Sequence, residues 1–146
     1  RAHCGFLPSQ ARVEDLSYQD MHKERMSLYC SHSHPLFGRN CTKDDVYAAE
    51  IASPDYLISD RLGAHSSRMQ IVGRTNSIEG IAILVMTGSY LGFLPDHLAS
   101  EWVQQGQLQE LLPEVFSYHI RFCAITRADR KDNRLIRSFL RELAPV

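Results

Sequence analysis

The chain has 146 residues, of which 44% are hydrophobic and 23% are charged, and its formal net charge is −1. These values are typical of one globular domain, or of two small lobes, that bury their own core. They do not favour a nucleic-acid-binding surface, and no apolar stretch reaches the roughly 18 residues of a membrane-spanning helix.

The chain begins "RAHC", with neither an initiator methionine nor an apolar signal segment. We therefore expect a fragment of a longer cytoplasmic protein that has no contact with membranes. The cysteines show no C-x-x-C spacing, which favours reduced, buried thiols over a disulfide framework. They are Cys4, Cys30, Cys41 and Cys123.

Short strands are predicted in the N-terminal part. Residues 4–8 read as the end of a buried strand that breaks at Pro8, and the polar residues 13–23 read as a surface connection. Residues 25–30 alternate and predict a strand with Met26, Leu28 and Cys30 on one face.

A helix is predicted over residues 43–52, because Thr42 and Asp45 fit a capping box and Pro54 would end the helix. Strands are predicted at residues 56–58 and 69–73, and a loop or weak helix between them at residues 61–68.

The segment "RTNSIEGIAILVMTGSYLGFLP" begins with three N-cap types, Thr75, Asn76 and Ser77. The apolar run over residues 78–86 predicts a helix packed on several sides, with Gly88 at its end. A buried strand is expected at residues 91–94.

In the C-terminal part, a helix is predicted at residues 96–105, a strand or an extended edge at 108–112, and a strand at 117–126. A final helix carries an apolar face of Leu135, Ile136, Phe139, Leu140 and Leu143, opposite Arg134, Arg137, Arg141 and Glu142. This alternation predicts an α/β sheet covered on its faces.

The polar triplet Thr75-Asn76-Ser77 has two interpretations. It could serve only to cap the helix. It also follows a strand in an α/β sheet, where ligands bind at the carboxyl ends of strands and helix N-termini attract anions. The second interpretation predicts a small ligand, with a carboxylate as the favoured chemistry.

The residue types of Cys30, His32, His34 and Cys41 are those of metal ligands and, for the cysteines, of redox sensors. The spacing does not match a zinc site, so turn residues and a buried thiol explain them better. Redox sensing by Cys30 and Cys41 is left open, since it needs an exposed thiol of low pKa. We expect no metal and no cofactor.

Catalysis is not expected. Ser89 lacks the G-x-S-x-G elbow, and a small α/β enzyme would become credible only if His97 or His119 lay beside Asp96 or Ser89 in a cleft.

The segment "RTNSIEGIAILVMTGSYLGFLPDHLASEWVQQGQLQELLP" resembles the regulatory domain of LysR-type transcriptional regulators. The shared pattern is a polar turn, a helix ending in "LV", a glycine, "GFLP", and then a short helix before "GQL". The segment "ERMSLYCSHSHPLF" resembles the strand and His-Pro-Leu turn of that family. Two features depart from the family pattern. The bulky Tyr90 lies in the glycine turn, and the chain starts late.

The resemblance implies an α/β, two-lobed, periplasmic-binding-protein-like (type II) regulatory domain. Its second lobe would be complete over residues 31–118. The first lobe would be partial, comprising residues 1–30 and, as a return strand and C-terminal helix, residues 119–146.

The resemblance also implies an effector pocket between the lobes. It would be lined by Thr75, Asn76, Ser77 and, less centrally, Tyr90 from the second lobe, and by Phe6 and Leu7 from the first. The effector would change the hinge angle, and through it DNA binding by an absent N-terminal winged helix-turn-helix.

The expected partners are therefore a small-molecule effector and further copies of the chain, as a homodimer or homotetramer. The apolar surplus on residues 78–86 suggests a dimer contact, and a monomer in concentrated solution scattering would contradict it. The alternative function is a solute-binding protein of the same two-lobed fold.

Overall fold

The computed structural model describes residues 4–8, 13–54, 62–130 and 133–142. The predicted strand at residues 56–58 and the predicted face residue Leu143 lie outside these ranges. The chain divides into two compact units: unit 1 comprises residues 1–24 and 119–146, and unit 2 comprises residues 25–118. The first boundary precedes the one expected at residue 30, and the correspondence of the units to the family's lobes stays a prediction.

Strands and helices alternate along the described ranges. The strands are β1 (Cys4–Pro8), β2 (Leu16–Ser31), β3 (Glu50–Pro54), β4 (Gln70–Thr75), β5 (Leu91–Pro95), β6 (Leu108–Glu110) and β7 (Ser117–Arg127). The helices are α1 (Lys43–Ala48), α2 (Ile78–Met86), α3 (Asp96–Gln104) and α4 (Arg134–Glu142), with 3₁₀ turns at Gly63–Arg68 and Ala128–Arg130. Within these ranges, no helix has the length and apolar character needed to cross a membrane.

The sheet of unit 2 has β3 between two parallel neighbours. β3 pairs with β4 on one side and with β5 on the other. β5 then pairs antiparallel with the second half of β2, which also pairs with β6. Both faces of this part of β2 are covered, because Ser27 and Tyr29 are buried as fully as Met26, Leu28 and Cys30.

Helix α2 packs closely on the sheet of unit 2. Its residues Ile81, Ala82 and Val85 are buried in a cluster that includes Ala52 and Leu94. β5 approaches α2 so closely at Gly92 that a Cβ there would lie 2.5 Å from a methyl of Val85 and 2.8 Å from a methyl of Ile81.

Unit 1 is built on an antiparallel pair of strands. β1 pairs with β7 in the register Cys4↔Thr126 to Pro8↔Phe122. The ring of Phe6 on β1 contacts the ring of Phe139 on α4 edge-on, with their centroids 6.2 Å apart.

Two secondary-structure predictions are wrong. Residues 13–23 are not a surface connection, because β2 starts at Leu16. The capping box of Thr42 and Asp45 is present, but α1 ends at Ala48 and not at residue 52. Residues 50–54 are instead drawn into the sheet as β3, where Ile51 and Ala52 are fully buried between two parallel strands.

Burial in unit 1 also differs from expectation. The strand at residues 4–8 is not buried throughout, since Phe6 is 48% and Leu7 is 50% exposed. On α4, only Ile136 is buried, while Leu135 and Phe139 are exposed. The apolar face predicted for the last helix is therefore largely uncovered within the described residues.

Candidate functional site

The polar turn comprises Thr75, Asn76 and Ser77 and lies where β4 ends and α2 begins. Thr75 is the last residue of β4, and it pairs with Pro54 at the end of the parallel strand β3. The turn therefore lies at the carboxyl ends of two parallel strands, which is the edge of an α/β sheet where ligands bind.

Two of the three side chains organise the helix start. The hydroxyl of Ser77 accepts a hydrogen bond from the backbone N–H of Gly80 at 3.3 Å and so caps α2. The Thr75 hydroxyl accepts one from the backbone N–H of Ser77 at 3.2 Å. The capping interpretation is thus correct for Ser77, and Thr75 shapes the turn that precedes it.

Thr75 lies directly against the first turn of α2. A Cβ on Gly80 would be 2.8 Å from the Thr75 hydroxyl oxygen. Glycine inside a helix costs about 1 kcal/mol relative to alanine, and here the missing side chain leaves room for Thr75. The glycine therefore allows a hydroxyl to lie beside the helix N-terminus.

A carboxylate of the chain itself occupies the helix start, a feature that the sequence analysis missed. The Ser77 hydroxyl donates to Glu79 Oε2 at 2.6 Å. This bond, followed by one from the backbone N–H of Glu79 itself, lowers the pKa of the Glu79 carboxyl. The acidic residue two positions after the N-cap was the signal available in the sequence.

Of the remaining predicted site residues, Asn76 belongs to the turn, Tyr90 lies apart from it, and Phe6 and Leu7 lie in the other unit. Asn76 is exposed at the centre of the turn. Tyr90 packs on the core of unit 2 beyond the other end of α2, a helix of nine residues and hence about 13 Å long. Phe6 and Leu7 are exposed on β1 of unit 1.

A second polar cluster lies at the start of α3. Asp96 accepts hydrogen bonds from Arg25 at 2.5 Å, Ser27 at 2.8 Å and Tyr29 at 3.0 Å, and Arg25 also bonds Glu110 at 2.9 Å. The bond to Asp96 raises the pKa of Arg25, and burial followed by the Asp96 charge raises that of Tyr29. These hydrogen bonds hold the start of α3 against β2.

The thiols and histidines near the His-Pro-Leu turn have structural partners. His34 is buried, its Nδ1 accepts from the backbone N–H of Leu36, and burial lowers its pKa. Burial raises the pKa of Cys41, and burial together with the Cys41 charge raises that of Cys30 to about 11. A redox-sensing thiol needs the opposite shift. Among the described residues, no three potential metal ligands converge.

The family model for the LysR substrate binding domain matches residues 1–146, and the chain belongs to this family of transcriptional regulators. It is 34% identical over 145 residues to the HTH-type transcriptional activator BauR of Pseudomonas aeruginosa. That match covers 97% of this chain and 48% of the relative, so the chain spans about half the length of the curated relative.

Solved structures of LysR-type regulators share the fold. The regulatory domain of CrgA from Neisseria meningitidis is 20% identical with a TM-score of 0.73, covering 96% of this chain and 72% of that one. The bromide-bound regulatory domain of HypT from Salmonella typhimurium is 14% identical with a TM-score of 0.72, covering 97% and 70%. The fold is therefore the periplasmic-binding-protein-like (type II) fold, as the sequence analysis predicted.

Proposed function

We propose that this chain senses a small carboxylate-bearing effector at the polar turn of unit 2. The single observation that carries the proposal is the arrangement of Thr75, Asn76 and Ser77 at the N-terminus of α2 and the carboxyl ends of two parallel strands. The helix start favours negative charge, and the exposed Asn76 amide adds a donor that capping does not use. That Phe6 and Leu7 contribute to the same site stays a prediction.

The Glu79 carboxylate supports the choice of an anionic group. It accepts from the Ser77 hydroxyl and from its own backbone N–H, which are donors that an effector carboxylate would use. We propose that the effector displaces Glu79 from these donors. In the absence of effector, the Glu79 carboxylate would then occupy the donors that the effector carboxylate uses when it binds.

The regulatory role follows from the family. The match to the LysR family model and the similarity to a transcriptional activator favour an effector-sensing domain over a solute-binding protein. We propose that effector binding modulates DNA binding by a winged helix-turn-helix outside this chain, in the cytoplasm. Self-association as a homodimer or homotetramer is part of the proposal, and the 67% exposed Ile83 on α2 supports it. A monomer in concentrated solution scattering would contradict it.

Replacing Asn76 by alanine is expected to weaken effector binding about tenfold or more, since a hydrogen bond to a charged group contributes about 1.5–3 kcal/mol. The effector is first found by a thermal-shift screen of the full-length protein against aliphatic, aromatic and amino acids. A ligand at about 100 times its Kd adds about 2.7 kcal/mol of stability. Thr75→Val should likewise reduce binding, with about 1 kcal/mol of lost stability.

Ser100→Ala serves as the control, because Ser100 is an exposed hydroxyl on α3 that bonds only locally to the His97 carbonyl. It should leave effector affinity unchanged. If Asn76→Ala and Thr75→Val bind every hit as tightly as the unsubstituted protein, the polar turn is not the effector site.

Replacing Glu79 by glutamine is expected to tighten the binding of a carboxylate effector, because it removes a like charge from the helix start. Isothermal titration of the hit from the screen measures this change. An exposed acid on α3, Glu101→Gln, provides the control for the general loss of one negative charge. Weaker binding in Glu79→Gln would show that the effector presents a cationic or neutral group to this residue.

A further inference from the structure

Unit 2 contains a cavity of about 420 Å³ at the edge of its sheet opposite the polar turn. The His-Pro-Leu turn, the end of α1 and the turn at Gly88 and Ser89 line it. Glu50 begins β3 and Ser89 precedes β5, so the cavity lies at the amino ends of these parallel strands. The polar turn lies at the carboxyl ends of β3 and β4. The two places are therefore separate, and the volume of the cavity is typical of small-molecule sites.

The surface around this cavity belongs to unit 2 alone. The described residues that line the cavity all lie within the continuous segment 25–118. Its largest aliphatic side chain, Leu36, is only 8% exposed. The large apolar side chains that the described part of unit 2 leaves exposed are Val72, Ile83 and Val103, and none of them lines the cavity. The cavity therefore has no large uncovered apolar side chain that would call for another segment to pack over it.

His34 provides a hydrogen-bond donor in the cavity lining. The residue is only 8% exposed, and its Nδ1 accepts from the backbone N–H of Leu36 at 3.1 Å. Burial lowers the pKa of the ring, so at neutral pH the imidazole is uncharged and carries its proton on Nε2. Among the described residues, no group accepts a hydrogen bond from Nε2. Buried donors are nearly always paired, so this N–H points to an acceptor supplied by a ligand.

The α1 side of the cavity carries two carboxylates, Asp45 and Glu50. The Thr42 hydroxyl and backbone N–H donate to Asp45 Oδ2 at 2.6 Å and 2.8 Å. These bonds lower the pKa of Asp45, with the charge of Arg39 as the smallest contribution, so Asp45 is ionised at neutral pH. Within the ranges that the structure describes, neither Asp45 nor Glu50 forms an ion pair. The lining thus presents uncompensated negative charge.

We propose that this cavity binds a small aliphatic amine that also carries a hydrogen-bond acceptor, such as an amino alcohol. The ammonium group lies beside the carboxylates of Asp45 and Glu50 and donates to them. The acceptor oxygen receives the Nε2 hydrogen bond of His34, while Leu36 and Ala49 contact the aliphatic chain. A carboxylate ligand is disfavoured here because it would face two like charges. The site is thus independent of the polar turn and selects the opposite charge.

The probe for this site is aminopentanol with its amino and hydroxyl groups at opposite ends of the chain. Isothermal titration of the full-length protein at low ionic strength should give saturable binding with a Kd near or below about 1 mM. Pentylamine lacks the hydroxyl group and pentanol lacks the ammonium group, so each should bind about fivefold more weakly or worse. Added salt should weaken the binding of aminopentanol, because Glu50 is exposed.

The carboxylates are tested by the double variant Asp45→Asn/Glu50→Gln, which should weaken aminopentanol binding about fivefold or more. The matched control is Glu101→Gln/Glu114→Gln. It removes two exposed carboxylates of unit 2 outside the cavity lining and should change the Kd less than about twofold.

The donor is tested by His34→Asn, which keeps an acceptor for the backbone N–H of Leu36 but has no donor at the position of Nε2. It should lower the affinity for aminopentanol to that for pentylamine and leave pentylamine binding unchanged. A merely structural role of His34 would affect both ligands alike.

A variant that fills the cavity covers the case in which the other substitutions reduce thermal stability. Ala48 is an exposed residue of α1 in the cavity lining, and leucine is a good helix former. Ala48→Leu should therefore fold normally and weaken aminopentanol binding about fivefold or more by occupying the space. Asn76→Ala should leave this binding intact, which separates the test from that of the effector site.

Four results would overturn the proposal. One is the absence of saturable aminopentanol binding to the unsubstituted protein. An equal loss of affinity in the two double variants would indicate only the general charge of unit 2. Unchanged binding in Ala48→Leu would place the ligand elsewhere. Unchanged discrimination between aminopentanol and pentylamine in His34→Asn would leave Nε2 without a role.

Discussion

Replacing Gly92 by alanine is expected to lower the free energy of unfolding of unit 2 by about 1–3 kcal/mol through overpacking. The added Cβ would meet Val85 Cγ2 at 2.5 Å and Ile81 Cγ2 at 2.8 Å. Both methyls belong to β-branched side chains in a helix, whose χ1 angles have one preferred value, so neither moves easily. The helix or the strand must shift instead. Chemical denaturation followed by circular dichroism measures the loss.

The control for this prediction is Gly5→Ala on β1. Nothing lies within 4 Å of a Cβ at Gly5, so this change should be close to neutral. Adding Val85→Ala to Gly92→Ala removes the closest methyl and should recover part of the loss, giving a non-additive double-mutant cycle. Additive effects would mean that Gly92 on β5 does not lie in close contact with Val85 on α2.

Replacing Asp96 by asparagine is expected to destabilise unit 2 by about 2 kcal/mol. The carboxylate accepts from Arg25, Ser27 and Tyr29. The asparagine side chain has the same shape and keeps one acceptor oxygen. Its NH2 group replaces the other oxygen, so two donors, this group and the Arg25 guanidinium, would face each other. Breaking a fully buried ion pair costs about 3–5 kcal/mol of stability. The loss expected here is smaller because the side chains of Arg25 and Asp96 are 35% and 32% exposed.

The matched control is Asp44→Asn. Its ion pair with Arg68 joins side chains that are 88% and 59% exposed, so the loss should stay below about 1 kcal/mol. Equal losses at Asp96 and Asp44 in urea denaturation would show that the cluster at the start of α3 contributes no more than a surface pair.

The parts of the fold encoded in local sequence were predictable. The cap of Ser77 on α2, the glycine at position 88 that ends it with a φ of 83°, and the Thr42 capping box all follow from short-range hydrogen bonding and backbone preference. The end of α1 was not predictable in this way. The alanines and glutamate after Tyr47 suit a helix, but pairing of β3 with two parallel neighbours outweighs that preference.

The turn itself was predictable and the groups around it were not. Thr75, Asn76 and Ser77 are contiguous, so their position at a helix start is visible in the sequence. The Asp96 cluster joins residues 69 and 67 positions apart, and no local pattern marks it.

The central claim is that the effector binds at the polar turn, and hydrogen–deuterium exchange of the full-length protein with and without a saturating effector tests it most directly. We expect slower exchange of the backbone amides of residues 76–80, where the ligand carboxylate would take up donors at the start of α2. Protection confined to other segments, with unchanged exchange across residues 76–80, would contradict the claim.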